Sequence, residues 1–349
     1  MKKKLYKAIS LVLILASVCA LLAGCGSDSG KITQIVSYPD DGDYLAVAND
    51  ALEQYCQEKG IECTIVEGHK HTGHWDSIKD NQLVIVRSFY EEICLEMAKE
   101  NPKIKFIAIG PCHAADPNGQ KKCPNSNVLH FDYDSTQKGF ISGYLAAKAS
   151  KTGEIALVIP DYYLSEKNNM LMGTEIASVI LGAKQADPDI KVHMALRTTS
   201  SEVIFDTRAD VIVTGRTTYV CDVLNSMNLD RHVWVVGYTE KESIDDRYKQ
   251  AVDKYLLTTV YEQYDIVLPQ VIENTINGTQ QYGITVKAAV ESGVVGFDKT
   301  SNYDTHMTDD VKQAMDILVK NISEYDVPAE NSYTLEDAFK LVNAEHLIQ

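Results

Sequence analysis

Three histidines fall within six residues in the stretch GHKHTGH, at His69, His71 and His74. Neutral imidazoles this close together can ligate zinc, nickel or copper. Their His-x-His-x-x-His spacing is not that of a structural zinc site, so a polar loop with only incidental metal affinity is the competing reading. Such a loop can also sense pH or touch a ligand without holding a metal. Six cysteines follow residue 30: Cys56, Cys63, Cys94, Cys112, Cys123 and Cys221. Cys112 and Cys123 bracket the polar loop HAADPNGQKK. A bridge there would staple the loop, worth about 3 kcal/mol in the chain-entropy model. Six free thiols are the alternative, since spacing does not encode pairing. The acid pairs Asp40-Asp41 and Asp245-Asp246 are adjacent in sequence. Their carboxylates therefore do not oppose one another as a catalytic pair must. No Gly-x-Ser-x-Gly, phosphate-cradling glycine loop or His-Glu-x-x-His occurs. These absences make an enzyme the weaker expectation without excluding catalysis, and no cofactor is expected.

The N-terminus has a chemistry of its own. MKKKLYK is basic and free of acids, AISLVLILASVCALLAG is apolar, and the run stops at small residues around Cys25. That layout predicts a secretory signal over residues 1–24. Leu22-Ala23-Gly24-Cys25 matches the bacterial lipobox, so Cys25 is expected to carry lipid, with residues 25–31 as a tether. The alternative is a membrane-spanning anchor, which usually ends in charge. Removing the leader's four lysines takes the formal charge from −16 to −20. Such an acidic chain is unsuited to nucleic acid or to anionic lipid surfaces. The 45% hydrophobic content of 349 residues is ample for two domains.

The elements that must position these residues alternate along the chain. ITQIVSY, ECTIVE, LVIVRS, KFIAIG, NVLHFDY, EIALVIP, KVHMALR, DVIVTG and HVWVVGY read as buried strands. Amphipathic helices lie between most of them, beginning with DYLAVANDALEQYCQEKG, which Asp43 is expected to cap. Continuous apolar strands alternating with helices predict parallel sheets covered on both faces. About ten strands exceed one comfortable open sheet, so two doubly wound α/β lobes are expected. Pro269 is expected to kink or break the helix that contains it. TDDVKQAMDILVKNI and TLEDAFKLVNAEHL read as two closing helices started by threonine.

The segment FDYDSTQKGFISGYLAAKASKTGEIALVI, residues 131–159, resembles the basic membrane lipoprotein family of substrate-binding proteins, which includes purine nucleoside receptors. GAKQADPDIKV and VIVRSFYEEICLEMAKENPKIKFIAI resemble further family stretches in the same order. The resemblance implies a type I periplasmic-binding fold: two lobes with parallel central sheets, joined by a three-crossover hinge that closes on ligand. Residues 32–133 with 239–285 would form the N-terminal lobe, and 134–238 with 286–349 the C-terminal lobe.

It further implies a monomeric receptor, lipid-anchored outside the cell membrane, that passes a small polar, nucleoside-like solute to an ABC permease. Nucleic acid is not an expected partner. Carried over residue by residue, the ligand contacts are Asp41, Tyr44, Ser88, Phe89, Asp134, Ser135, Thr239, Glu240 and Glu262. Four positions depart from the family. Leu45 stands for its asparagine, Thr239 for its ribose-gripping acid, Glu262 for its lysine, and Thr174 or Glu175 for its second aromatic. Specificity resides in few such groups, so the solute stays open. Two alternatives to a transport receptor are an exported metal receptor using the histidine loop and a ligand sensor serving a signalling partner.

Overall fold

The computed structural model describes residues 31–36, 46–67, 78–87, 91–110, 125–132, 135–159, 169–196, 200–227, 229–238, 246–342 and 347–348. The first half alternates β1 (Lys31–Val36), α1 (Ala46–Lys59), β2 (Glu62–Glu67), β3 (Leu83–Arg87), α2 (Glu91–Glu100), β4 (Lys105–Ile109) and β5 (Val128–Asp132). Then come α3 (Ser135–Ala149), β6 (Glu154–Ile159), α4 (Asn169–Ala186), β7 (Lys191–Leu196), α5 (Ser200–Asp206), β8 (Val211–Thr214), α6 (Thr217–Ser226) and β9 (Trp234–Gly237). The chain continues through α7 (Asp246–Tyr255), β10 (Leu256–Glu262), α8 (Tyr264–Ile276), β11 (Ile284–Lys287) and β12 (Val295–Phe297). It closes with α9 (Ser301–His306), α10 (Asp309–Lys320), α11 (Leu335–Lys340) and β13 (Leu347–Ile348).

Two sheets form. One has the order β11-β5-β4-β3-β1-β2, the other β12-β10-β9-β8-β6-β7-β13. Every pairing is parallel except β10 with β12. The central strands are mostly apolar because both faces are covered. Every residue of β5 and β6 is buried. In the first sheet one face packs under α1 and α8 through Leu52, Leu268 and Ile272, and the other under α2 through Cys94 and Ala98. In the second, α3 and α4 cover one face, and α5, α6 and α7 the other. The α3 and α4 backbones touch. A Cβ on Gly143 would lie 1.8 Å from Val179 O, and one on Gly182 2.0 Å from Phe140 O. Only glycine permits that approach.

The structure differs from sequence expectation in three places. β10 belongs to the second sheet, so the chain does not return to the first lobe near residue 239 as expected; it returns at α8. The reason is pairing: Leu256–Glu262 is buried on both sides and inserts between β9 and β12. Pro269 does not end its helix, which runs on to Ile276. It sits in the second turn, where only one early backbone bond is lost. The amphipathic helix α7, absent from the sequence reading, packs Ala251 and Val252 inward. At the C-terminus, Thr308 caps α10 by accepting from Val311 N. Thr334 and Asp337 form a full capping box on α11.

Candidate functional site

Ligands of doubly wound sheets meet the carboxyl ends of strands. Here those ends coincide with three crossings between the sheets: Asp132 to Ser135, Glu262 to Tyr264, and Lys287 to Val295. Backbone bonds lace the crossings together. Ala288 N donates to Asp132 O at 2.8 Å, and Gln263 N to Val294 O at 2.6 Å.

The first turn of α3 completes the knot. Gln137 accepts from Val290 N at 2.8 Å and donates to Glu291 at 3.0 Å. Lys138 Nζ lies 2.8 Å from Glu262 Oε1. Both side chains of that ion pair are almost fully shielded, at 3% and 0% exposure. A helix as buried as α3 cannot carry a lysine without a counter-charge, and Glu262 supplies it.

Glu262 has capacity to spare. Its second oxygen, Oε2, accepts no hydrogen bond among the described residues. The buried hydroxyl of Thr217, which begins α6, also lacks a partner among the described residues. A Cβ on Gly237 would lie 2.5 Å from Thr217 Oγ1 and 3.1 Å from Thr259 Oγ1, so glycine keeps this corner open. A buried acceptor left unmade costs about 1–3 kcal/mol. A ligand hydroxyl or amine would recover it. An aromatic pair of the first sheet's core adjoins the crossings: the buried Tyr264 ring lies 5.9 Å from Phe131 at 74°. At the end of β4, His130 Nε2 lies 2.9 Å from Gly110 O. A carbonyl only accepts, so that nitrogen carries the proton.

Of the residues expected to bind ligand, Ser135 and Glu262 are described. Both are buried at this carboxyl edge, Ser135 as the first residue of α3. Glu262 is bound to Lys138 and is not a freely presented acid. Asp41, Tyr44, Ser88, Phe89, Asp134, Thr239 and Glu240 lie outside the described residues, as do Cys25, Cys112, Cys123 and the loop of His69, His71 and His74. Among the described residues no cluster of three or more His, Cys, Asp or Glu could hold a metal. Cys56, Cys63, Cys94 and Cys221 are not in disulfides. Thr174 serves the C-terminal segment: its hydroxyl donates to Tyr333 O at 3.2 Å and accepts from Tyr333 N at 3.1 Å.

Lys138, Gln137 and Thr217 were not singled out from the sequence. A lysine in the first turn of the small-residue run STQKGFISGYLAAKA, ahead of its apolar stretch, was the available signal for the first.

Known proteins place this arrangement. A family model described as "ABC transporter substrate-binding protein PnrA-like" (Bmp) matches residues 34–329. Basic membrane protein A2 of Borrelia garinii subsp. bavariensis is 24% identical over 194 residues, covering 52% of this chain and 54% of that one. The chain thus spans about half the length of that relative. The transcriptional activator protein med of Bacillus subtilis is 24% identical over 307 residues, covering 82% and 90%. Among solved structures, an ABC transporter solute-binding protein from Conexibacter woesei superposes with a TM-score of 0.67 at 17% identity, covering 87% of this chain and 99% of that one. An ABC transporter periplasmic solute-binding protein from Actinobacillus succinogenes with bound D-allose gives 0.56 at 14% identity, covering 79% and 99%. These likenesses establish the fold as that of the two-lobed periplasmic solute-binding proteins. With its family model matched across most of its length, the chain belongs to the Bmp family of PnrA-like ABC transporter substrate-binding proteins.

Proposed function

We propose that the chain is the solute receptor of an ABC importer, held outside the membrane by lipid on Cys25, and that it captures a small hydroxyl-bearing, nucleoside-like solute between its lobes. The observation that carries this reading is the open capacity at the carboxyl edge of the second sheet: Glu262 Oε2 at the crossing into α8, and the Thr217 hydroxyl beside Gly237 at the end of β9, both buried and both without a partner among the described residues. Asp41, Tyr44, Ser88, Phe89, Asp134, Ser135, Thr239 and Glu240 complete the cleft in this proposal, with Tyr44 stacking on the solute's ring. Binding selects the closed arrangement of the lobes, and a permease accepts the loaded form; no bond is made or broken. Among the described residues no helix is long and apolar enough to cross a membrane.

A thermal-shift panel of nucleosides, nucleobases, sugars, amino acids and divalent metals tests the reading. A ligand at about 100 times its dissociation constant stabilises the fold by about 2.7 kcal/mol. A shift with one hydroxyl-bearing class, lost in Tyr44→Ala, is expected. A shift with metal alone, abolished by chelator, would replace this reading with a metal receptor. Lipid labelling that persisted in Cys25→Ser would remove the tether.

The match to a transcriptional activator over 82% of the chain favours a second reading, a sensor whose ligand state is read by a signalling protein. Capture of the loaded protein by a permease, and not by a kinase, separates the two. Direct action on DNA is disfavoured by the net charge of −16.

A further inference from the structure

At the opposite edge of the second sheet lies a groove that solute capture at the crossings does not use. It has a volume of about 460 Å³ and is built where β9 begins, α7 ends and α9 ends. Its centre is Trp234, the first residue of β9. The His232 ring meets the indole edge-on at 4.1 Å and 67°, and the His306 ring lies 4.8 Å away at 43°. His232 also stacks on Tyr255, at 5.6 Å and 18°. Asn302 firms the floor by donating to Asp253 O at 2.9 Å and Leu256 O at 2.7 Å.

The rim is basic. Lys151 and Lys254 both line the groove, and neither forms an ion pair among the described residues. Asp253 is the one acid on the rim, and Lys249 faces it at 3.8 Å. Partial burial first, then the charges of His306, Lys254 and Lys151, hold the His232 pKa below its ordinary value. The ammonium groups of Lys254 and Lys151 therefore act together on the spot where His232 stands. On a chain of net charge −16, such a convergence is a local reversal of sign. The volume lies in the range of small-molecule pockets, about 300–1,000 Å³. An indole flanked by imidazoles suits a flat ring, and two ammonium groups without an ion-pair partner among the described residues suit an anion, although Lys254 also stands 4.6 Å over the Tyr255 ring.

We propose that this groove is a second small-molecule site, taking a planar ring that bears a carboxylate or phosphate group. It lies at the amino ends of the strands, away from the crossings, so occupancy there is separable from solute capture.

The test is titration of the full chain in detergent, followed by calorimetry and by indole fluorescence. The chain has two tryptophans, so a Trp75→Phe background isolates Trp234. The probes are nicotinate, phenyl phosphate and uncharged nicotinamide. Saturable binding of one or both acids is expected, with nicotinamide at least about tenfold weaker. The acid that binds names the head group. Lys151→Ala/Lys254→Ala, exposed positions that leave the core untouched, should weaken the acid at least about tenfold. Trp234→Leu should abolish the fluorescence response and weaken binding by a similar factor. No saturation by either acid up to about 10 mM overturns the proposal. Equal binding of nicotinamide, an unchanged constant in the double lysine variant, or an equal response to inorganic phosphate overturns it as well.

Discussion

Two buried glutamates stand at opposite edges of the second sheet, and they are treated differently. Glu154 opens β6 at the amino edge, and Glu262 closes β10 at the carboxyl edge; they are 6% and 3% exposed. Glu154 is saturated. Arg208 reaches Oε1 with Nε at 3.1 Å and Nη2 at 2.8 Å, while His193 Nε2 and Arg208 N reach Oε2 at 3.0 and 3.3 Å. Lys191 adds charge at 3.8 Å. Glu262 has Lys138 and a spare oxygen. The same side chain, equally buried, is finished at one edge and left open at the other. Full satisfaction marks a group that holds the fold, while a retained open acceptor marks one that meets something else.

The largest effect should come from unbalancing the open edge. Lys138→Met leaves the Glu262 carboxylate buried without its counter-charge, which should cost about 3–5 kcal/mol in urea denaturation. A loss below about 1 kcal/mol would mean that Glu262 is not charged against Lys138 in the fold. The double variant Lys138→Met/Glu262→Leu should regain most of that stability, because hydrophobic replacement of a buried pair is often neutral. It should nonetheless lose the thermal shift given by solute. A double variant that keeps a full ligand shift would reduce Glu262 to a structural role and erase the contrast with Glu154.

The closed edge should yield less, and through pH. Burial opposes ionisation of Glu154, but hydrogen bonds from Arg208 and His193 overcome it and hold the carboxyl at about 2, below its ordinary 4.5. A depressed carboxylate contributes stability that is complete above about 4.5 and is lost as pH falls through about 2. Arg208 is itself 73% exposed, so solvent screens much of the gain. Arg208→Ala should therefore cost about 1–2 kcal/mol at neutral pH. The difference from the parent should shrink as pH drops from 4.5 toward 2. A difference that stayed constant across that window would assign the loss to packing of the arginine stem and not to the carboxylate.

The legibility of the two edges in the sequence follows from locality. The alternation of apolar runs and helices marks the sheets because each strand announces itself within a few residues, as VLHFD and EIALVI do. The lobe boundary near residue 239 was misread because β10 joins its sheet by pairing with β9 and β12, a long-range fact with no local sign. Lys138 and Glu262 are 124 positions apart, so their pairing is a product of the crossings. The Trp234 groove draws on residues from 151 to 307 and forms no motif in any one segment. Thr174, read as a lost aromatic, is used by the C-terminal segment 159 residues away.

The smallest effect compares two threonines, and it reads the open edge without disturbing its charge. The Thr174 hydroxyl makes two hydrogen bonds to the backbone of Tyr333, whereas that of Thr217 makes none among the described residues. Replacing a hydroxyl by a methyl of equal shape removes polarity and little volume. Thr174→Val should then cost about 1–2 kcal/mol, since it orphans both backbone groups of Tyr333. Thr217→Val should be neutral within about 0.5 kcal/mol or slightly stabilising, since nothing in the fold loses a partner. If Thr217 is kept polar for solute, its valine variant should weaken solute binding by about tenfold while melting unchanged. Loss of stability in Thr217→Val equal to that in Thr174→Val would show that its hydroxyl is already engaged within the chain. The open corner beside Gly237 would then be closed, leaving Glu262 Oε2 at the crossing to carry the contrast with Glu154.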